Sequence, residues 1–333
     1  MVDRDRRIMN AVFLDSQTFS SNISFTAVEQ QVASLTCYST TTPEQLFERC
    51  KSAEIVITNK VVFTADILAK LPQLKLICIA ATGYNNIDIE SASKHNIAVT
   101  NVSGYAGNSV AQYVLAQMLE YYQQTRHHNS NTEKGHWQQS ETFCYHGSTI
   151  TELAGKTLAI VGYGSLGKSV VKLAEAFGMR VLISERPTTN SYNAEIREGR
   201  VSFEHAISQA DILSLHCPQT AETTNLIDTR VFEKMKPTAM LINTARGVLV
   251  NSLDLLTALK TKQIAYAVLD VLEQEPPPAD HPLLMCLQKK ELSNLKITAH
   301  IAWASSEAQQ RLINLLSDNI AAFKRNEKLN RLT

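Results

Sequence analysis

The glycine-rich segment Gly162-Tyr-Gly164-Ser-Leu-Gly167 constrains the fold of this chain more than any other feature. It directly follows an apolar, strand-like run, Leu158–Val161, and it opens a helical stretch, Lys168–Phe177. Such a strand, glycine turn and helix are typical of the first βα unit of a Rossmann sheet. The first glycine permits the turn, the second lets backbone amides approach a pyrophosphate, and the third lets helix and strand pack closely. We expect Ser165 and Leu166 to donate those amides.

Strand-like apolar runs alternate with helical stretches in two series along the chain. The first series is Ala11–Leu14, Glu54–Thr58, Leu74–Ala80 and Ile97–Thr100. The second is Thr157–Val161, Arg180–Ser184, Ile212–His216, Ala239–Asn243, Ala265–Asp270 and Lys296–Ala299. This alternation predicts an α/β protein with two doubly wound parallel sheets. A length of 333 residues also exceeds the usual limit of a single core.

The last helical stretch, Ser305–Lys324, has no strand after it that could pair with the second sheet. We therefore assign this helix to the first domain. The predicted architecture is a Rossmann dinucleotide-binding domain, residues 105–302, inserted in a flavodoxin-like substrate domain made of residues 1–104 and 303–333.

The polar segment Thr125–Ser148 follows a long apolar helix, Ser109–Gln124, near the predicted domain junction. It contains four histidines, but carboxylates are sparse and the spacing fits no metal site. We interpret it as a solvated loop, and we expect no metal ion.

Charge and hydropathy exclude several classes of partner. Lys plus Arg and Asp plus Glu are balanced at 32 each, so total charge favours neither nucleic acid nor an anionic membrane. No stretch approaches the ~18–20 apolar residues of a membrane helix, and no signal-peptide core follows Met1–Ile8. We expect a cytoplasmic protein whose partner is a small molecule.

Glu185 lies 18 residues after the last glycine of the turn, at the end of the next predicted strand. An acid at this place binds the adenosine ribose hydroxyls and would repel a 2′-phosphate. We therefore expect NAD as the cofactor, with Glu185 on its ribose. The adjacent Arg186 leaves NADP open, because a guanidinium could accept that phosphate.

Three loops at predicted strand ends carry polar residues that packing alone would not select. They contain Asn243-Thr-Ala-Arg246-Gly247, Asp270-Val-Leu-Glu-Gln-Glu275-Pro276 and His300-Ile-Ala-Trp303-Ala-Ser305. In an open α/β sheet these carboxyl-end loops line the ligand crevice. They are therefore the candidate site of chemistry.

Reduction of a 2-keto acid needs a carboxylate clamp, a hydride donor and a proton donor. The planar fork of Arg246 suits a carboxylate and its adjacent carbonyl. His300 is the candidate acid, because histidine exchanges a proton near neutral pH. Glu275 would favour the imidazolium form if the fold brings the two loops together. Each residue alone also has a structural explanation: a surface ion pair, a helix-start acid or a loop histidine.

Taken together, these motifs resemble the D-isomer-specific 2-hydroxyacid dehydrogenases over nearly the whole chain. Members carry the glycine turn, an Arg-Gly segment, an acid before proline 29 residues later and a terminal histidine, as Arg246, Glu275 and His300 do here. The resemblance implies that these three act as the catalytic set, with substrate bound between the domains by Arg246 and His300. It also implies that Asp270 contacts the nicotinamide carboxamide, and that the inserted domain is the NAD-binding Rossmann domain.

Further site residues follow from the same resemblance. Cys217 and Pro218 are similar to the loop that flanks the cofactor, where Cys217 would be an apolar wall. Thr244 and Ala245, just before Arg246, are assigned to the cofactor as well. Thr82 and Gly83 belong to a segment similar to the loop whose backbone amides bind the substrate carboxylate.

The ending His300-Ile-Ala-Trp303-Ala-Ser305 is similar to that of glycerate dehydrogenases, also called hydroxypyruvate reductases. It implies hydroxypyruvate and D-glycerate as the substrate pair, with glyoxylate or another short keto acid as the alternative. The resemblance also implies a homodimer through the NAD-binding domain. A dehydrogenase-like protein that only senses NADH is the rival from another class, since a fold does not determine a function.

Overall fold

Near-continuous runs of Val, Ile, Leu and Ala form two parallel sheets in the computed structural model of the protein, which describes residues 9–185 and 196–333. Strands that are apolar throughout are typical of parallel sheets, because helices cover both faces. The chain divides into two compact units, Met1–Ala106 with Ala304–Thr333 and Gly107–Trp303. The segment Met1–Ile8 and Arg186, both considered above, lie outside the described residues.

The first unit contains a sheet of five parallel strands in the order β2-β1-β3-β4-β5, counted among the described residues. Its elements up to Ala106 are β1 (Asn10–Phe13), α1 (Thr26–Glu29), β2 (Ser34–Cys37), α2 (Pro43–Cys50), β3 (Ile55–Thr58), α3 (Ala65–Leu68), β4 (Leu76–Ile79), α4 (Ile89–Lys94) and β5 (Ala98–Thr100). This strand order is the flavodoxin-like one. The sequence pattern missed β2, because this edge strand is mostly exposed and has no buried apolar run.

The second unit contains a sheet in the order β11-β10-β9-β8-β6-β7. Its elements are α5 (Gly107–Gln123), α6 (Thr125–Glu133), β6 (Thr157–Val161), α7 (Ser165–Ala176), β7 (Arg180–Ile183), α8 (Phe203–Gln209), β8 (Ile212–Leu215), α9 (Thr229–Phe232), β9 (Met240–Asn243), α10 (Ser252–Lys260), β10 (Tyr266–Leu269), α11 (Pro282–Gln288) and β11 (Leu295–Ile297). A parallel bridge between Ser184 and Val201 extends the sheet beyond β7. Counting this bridge as a short strand, the order is that of a Rossmann sheet. The predicted fold class of two parallel α/β sheets is confirmed.

The final helix, α12 (Ser306–Lys324), belongs to the first unit. Ser305 caps it by accepting a hydrogen bond from the Ala308 N–H. Its apolar face is fully buried, and the buried Gln309 accepts a bond of 2.8 Å from the Ser20 N–H. The long sequence separation between Ser20 and Gln309 shows that the chain returns to its first unit at the end.

The prediction of a loop throughout Thr125–Ser148 is wrong, because α6 occupies its first nine residues. The helix has few apolar residues and therefore lacks the periodicity that predicts a helix. Side-chain bonds one turn apart support it instead: Asn131 bonds the His127 ring at 3.0 Å, and Asn129 donates to Glu133 at 2.8 Å.

Candidate functional site

The loops after β6 and β8 meet where the order of the second sheet reverses. Gly162 follows β6 with a φ of 102°. A Cβ atom there would lie 2.5 Å from the backbone nitrogen of Cys217, in the loop after β8. Only glycine suits this left-handed backbone and this close approach. Ligands of open α/β sheets bind in the crevice at such a switch point.

The other two glycines of the turn have opposite surroundings. A Cβ atom on Gly167 would lie 2.2 Å from the Gly162 carbonyl oxygen, so this glycine is required for packing. A Cβ atom on Gly164, the N-cap of α7, would meet nothing within 4 Å. Ser165 and Leu166 follow as the first helical residues, whose N–H groups have no acceptor within the helix. Open space beside unpaired amides fits a pyrophosphate.

We expect Gly167→Ala to lower the stability of the protein and Gly164→Ala to weaken cofactor binding. The Gly167→Ala methyl overlaps a backbone oxygen, so the free energy of unfolding should fall by about 2–3 kcal/mol. Gly164→Ala should change it by less than about 1 kcal/mol, yet weaken NADH binding at least about tenfold by occupying the space beside the amides. Urea unfolding and NADH fluorescence titration measure the two effects. Unchanged NADH affinity in Gly164→Ala would contradict this assignment.

His216 is the first residue of the loop after β8, next to Cys217. Its Nε2 and the Ser214 Oγ are 2.8 Å apart, whereas its Nδ1 is buried and has no hydrogen-bond partner within the described residues. Burial lowers the pKa of His216 to about 4. The ring is therefore neutral in the folded protein at neutral pH.

This depressed pKa predicts a loss of stability in acid. Between the ordinary histidine pKa of 6.5 and the folded value of about 4, the unfolded chain binds a proton that the folded protein does not bind. At pH 4.5 this linkage should lower the free energy of unfolding by about 2–3 kcal/mol relative to pH 7. Urea unfolding of His216→Gln should show a smaller pH dependence by that amount. The variant His205→Gln, which changes an exposed histidine, should keep the wild-type pH dependence of the free energy of unfolding. The same pH dependence in all three proteins would refute the prediction.

Glu185 follows β7, as predicted for the ribose acid, and it is buried. Arg197 engages both carboxylate oxygens, with its Nε at 3.1 Å from Oε1 and 2.9 Å from Oε2. Arg200 lies 3.9 Å from Oε1. A ribose hydroxyl at Glu185 would therefore share the carboxylate with Arg197 or displace it.

The predicted cofactor residues after β8 and β9 have surroundings suited to a bound nucleotide. Burial raises the pKa of the Cys217 thiol to about 11, so this side chain is a neutral thiol at pH 7. The Thr244 hydroxyl is buried, and no described residue hydrogen-bonds it. A buried polar group without a partner is unfavourable unless a ligand or water bonds it. Ala245, also buried, follows directly, and Pro218 follows Cys217.

His300 and Glu275 form the centre of the candidate catalytic site. The His300 Nδ1 lies 2.6 Å from the Glu275 Oε2. The other carboxylate oxygen, Oε1, accepts a bond of 3.1 Å from the Leu272 N–H, which holds the acid in place. Both side chains are about one-third exposed, at 29% and 33%. Since Nδ1 is engaged by Glu275, Nε2 is the nitrogen that can exchange a proton with a substrate.

The Arg246 loop contacts the loop that carries Glu275. Gly247 lies so close to the Leu272 backbone that a Cβ atom would come within 1.8 Å of the Leu272 carbonyl carbon. The Arg246 guanidinium donates to the Ala245 carbonyl at 2.7 Å. Among the described residues, no Asp or Glu forms a salt bridge with Arg246. This guanidinium is thus available to a carboxylate ligand.

Asp270 is buried, and three protein donors surround its carboxylate. Thr298 Oγ1 donates at 2.5 Å, the Ile301 N–H at 3.0 Å and the Ala302 N–H at 2.8 Å. A carboxylate has about four acceptor positions, so one remains for a nicotinamide carboxamide. The expected carboxamide contact stays a prediction. The binding of Asp270 to the segment around His300 left no signal in the sequence pattern, since the two residues follow different strands.

Thr82 and Gly83 follow β4 in the first unit. The Thr82 hydroxyl donates to the Val102 carbonyl at 2.9 Å. In the described part of the chain, no hydrogen bond uses the backbone N–H of either residue. Two unpaired amides suit an anionic group, and their role in substrate binding remains a prediction.

Within residues 9–185 and 196–333, no three His, Cys, Asp or Glu side chains are arranged to hold a metal ion. No helix in the same ranges is long and apolar enough to cross a membrane.

Comparison with known proteins identifies the family of this chain. The profile of the family "D-isomer specific 2-hydroxyacid dehydrogenase, NAD binding domain" matches residues 115–302. Glycerate dehydrogenase from Methylorubrum extorquens is 42% identical over 285 residues, 86% of this chain and 87% of that one. Hydroxypyruvate reductase from Blautia hydrogenotrophica is 33% identical over 295 residues, 88% of each chain. The structure of an acyclic imino acid reductase (Bsp5) in complex with NADPH and D-Arg is 25% identical, with a TM-score of 0.81 over 98% of this chain and 100% of that one.

Proposed function

Because this chain belongs to the D-isomer-specific 2-hydroxyacid dehydrogenase family and is an NAD-dependent oxidoreductase, we propose that its substrate pair is D-glycerate and hydroxypyruvate. The observation that supports reduction of a 2-keto acid is the His300–Glu275 pair at 2.6 Å. In the same unit, Arg246 has no carboxylate partner among the described residues. An acid–base histidine and a carboxylate clamp are what reduction of a 2-keto acid requires.

His300 carries the proton in this reaction. A reduced cofactor bound to the second unit would supply the hydride to the carbonyl carbon. As negative charge develops on the carbonyl oxygen, the His300 Nε2–H donates its proton to that oxygen. Glu275 accepts the Nδ1–H bond and stabilises the imidazolium before the transfer. In the oxidation of the hydroxy acid, the neutral ring accepts the hydroxyl proton.

Arg246 orients the substrate. Its two parallel N–H groups bind the carboxylate and place the neighbouring carbonyl for reaction. Thr82 and Gly83 of the first unit are proposed as donors to a substrate carboxylate. Thr82 contributes by its backbone N–H, since its hydroxyl is already bonded to Val102.

The choice of hydroxypyruvate rests on the segment His300–Ser305 and on the names of the two relatives. The decisive experiment follows NADH absorbance with hydroxypyruvate, glyoxylate and pyruvate in parallel, each repeated with NADPH. We expect hydroxypyruvate and NADH to give the highest kcat/KM. If glyoxylate gave a higher kcat/KM than hydroxypyruvate, glyoxylate would be the substrate instead. Tight NADH binding without turnover of any keto acid would favour the NADH-sensing protein instead.

We propose that Glu185 favours NADH over NADPH through repulsion of the 2′-phosphate. Arg197 and Arg200, which lie beside Glu185, favour NADPH instead, because guanidinium groups bind phosphate. The variant Glu185→Gln keeps both arginines and removes the negative charge. Its NADPH:NADH ratio of kcat/KM should exceed that of the wild type.

A homodimer is the proposed assembly, formed through the second unit. After α6, the chain exposes Trp137 (54%), Phe143 (90%), Tyr145 (42%) and Ile150 (52%). Exposed aromatic side chains clustered in one segment are typical of protein interfaces. Light scattering should give about twice the mass of 37.0 kDa; a monomer at micromolar concentration would refute the assembly. We also propose a cytoplasmic location, which cell fractionation tests.

A further inference from the structure

The backbone of His300 is strained. Its φ is 55°, in the left-handed region that non-glycine residues rarely adopt. Such a conformation persists only where surrounding contacts hold it. The contacts that hold it therefore determine where the catalytic ring points.

Asp270 provides the first of these contacts, from both its backbone and its side chain. Its carbonyl accepts the His300 N–H at 2.8 Å. Its carboxylate accepts the next two amides, those of Ile301 and Ala302, at 3.0 and 2.8 Å. Three consecutive N–H groups of the catalytic segment are thus bound by one buried residue.

Helix α5 provides the second set. The Tyr113 Oη and Thr298 Oγ1 are 2.6 Å apart, and Thr298 lies two residues before His300. One helical turn earlier, the Ser109 hydroxyl donates to the Ala302 carbonyl at 2.8 Å, two residues after His300. Residues four apart share a helix face. The same face of α5 therefore binds the catalytic segment on both sides of the histidine.

The direction of the hydrogen bonds can be assigned. Thr298 has a single hydroxyl proton, which it donates to Asp270 Oδ1 at 2.5 Å. Thr298 must then accept from Tyr113, so the chain runs from Tyr113 to Thr298 to Asp270. Burial raises the pKa of Tyr113 to about 12, so the phenol remains a donor throughout the working pH range.

We propose that Tyr113 and Thr298 are positioning residues, which orient Asp270 and thereby hold His300 in its left-handed, Glu275-bonded conformation. This inference rests on the proposed function of His300 as the proton donor. Neither hydroxyl needs to touch substrate or cofactor for this role.

Thr298→Val and Tyr113→Phe test the chain of hydroxyls. Each removes one hydroxyl with little change in volume. We expect kcat for keto-acid reduction to fall roughly 5- to 30-fold, with the NADH dissociation constant unchanged. Thr298→Ser, which keeps the hydroxyl, should have a kcat near the wild-type value. Tyr121→Phe, two turns further along α5, should leave kcat unchanged. Wild-type kcat in both Thr298→Val and Tyr113→Phe would overturn the proposal.

A second readout does not depend on turnover. In ¹⁵N-histidine-labelled protein, the His300 ring signals are assigned by their loss in His300→Ala. They should shift in Thr298→Val and Tyr113→Phe, and keep their position in Thr298→Ser and Tyr121→Phe. Unshifted signals in both hydroxyl-free variants would refute the positioning role even if the proposed reaction is correct. Shifted signals in Thr298→Val and Tyr113→Phe, in a protein whose wild type reduces no keto acid, would support the positioning role and reject the proposed function.

Discussion

Replacement of His300 by alanine should lower kcat for hydroxypyruvate reduction on the order of 10²- to 10⁴-fold. The variant lacks the only group that we assign to proton transfer, so water must protonate the developing alkoxide. NADH affinity should stay within about twofold, because His300 is not assigned to the pyrophosphate or ribose contacts. Steady-state kinetics and NADH fluorescence titration measure the two quantities.

Two controls make this result specific. His205→Ala removes an exposed histidine of α8 in the same unit and should retain wild-type kcat. Glu275→Gln keeps the ring but replaces the charge 2.6 Å from its Nδ1 with a neutral amide. Reduction by Glu275→Gln should therefore have a lower kcat than in the wild type, since the ring has lost the carboxylate that orients it. A kcat in His300→Ala within threefold of the wild type would rule out His300 as the acid.

Replacement of Arg246 by alanine should have the second largest effect, on kcat/KM for the keto acid. Two charge-assisted bonds to the substrate carboxylate contribute about 3–5 kcal/mol. Their loss corresponds to a decrease in kcat/KM of roughly 200- to 5,000-fold. The free energy of unfolding should change little, because within the described residues no carboxylate is paired with this guanidinium.

Arg246→Lys separates charge from geometry. Lysine keeps the positive charge but lacks the planar fork, so it should recover only part of the lost kcat/KM. Arg230→Ala is the matched control, since its exposed guanidinium pairs with Asp228 two residues away. A pyruvate analogue without a carboxylate should react equally poorly with the wild type and Arg246→Ala. Full activity in Arg246→Ala would show that another group binds the carboxylate.

The local patterns that predicted the fold are of two kinds. Buried strands such as β6 and β9 appear as continuous apolar runs, because both faces of a parallel sheet are covered. The turn at Gly162–Gly167 appears in the sequence as a fixed spacing of three glycines, because a Cβ atom would clash at two of them. Both kinds of signal are local, and the family assignment that they supported is confirmed.

Elements without such a local signal were missed. The edge strand β2 is exposed, so its residues alternate without an apolar run. Helix α6 depends on polar bonds one turn apart rather than on an apolar stripe, which left no periodicity to detect.

The sequence by itself determined which residue types could carry the chemistry. An arginine, a glutamate and a histidine that occur together at strand ends suit few roles other than carboxylate binding and proton transfer. Only the tertiary structure decided how they are held. The bond between His300 and Glu275 joins residues 25 positions apart, and Tyr113 reaches Thr298 across 185 positions. The partner of Glu185 was equally hidden, since Arg197 lies 12 positions further along the chain. Contacts of this kind depend on which strand ends the topology brings together, and no spacing along the chain encodes that.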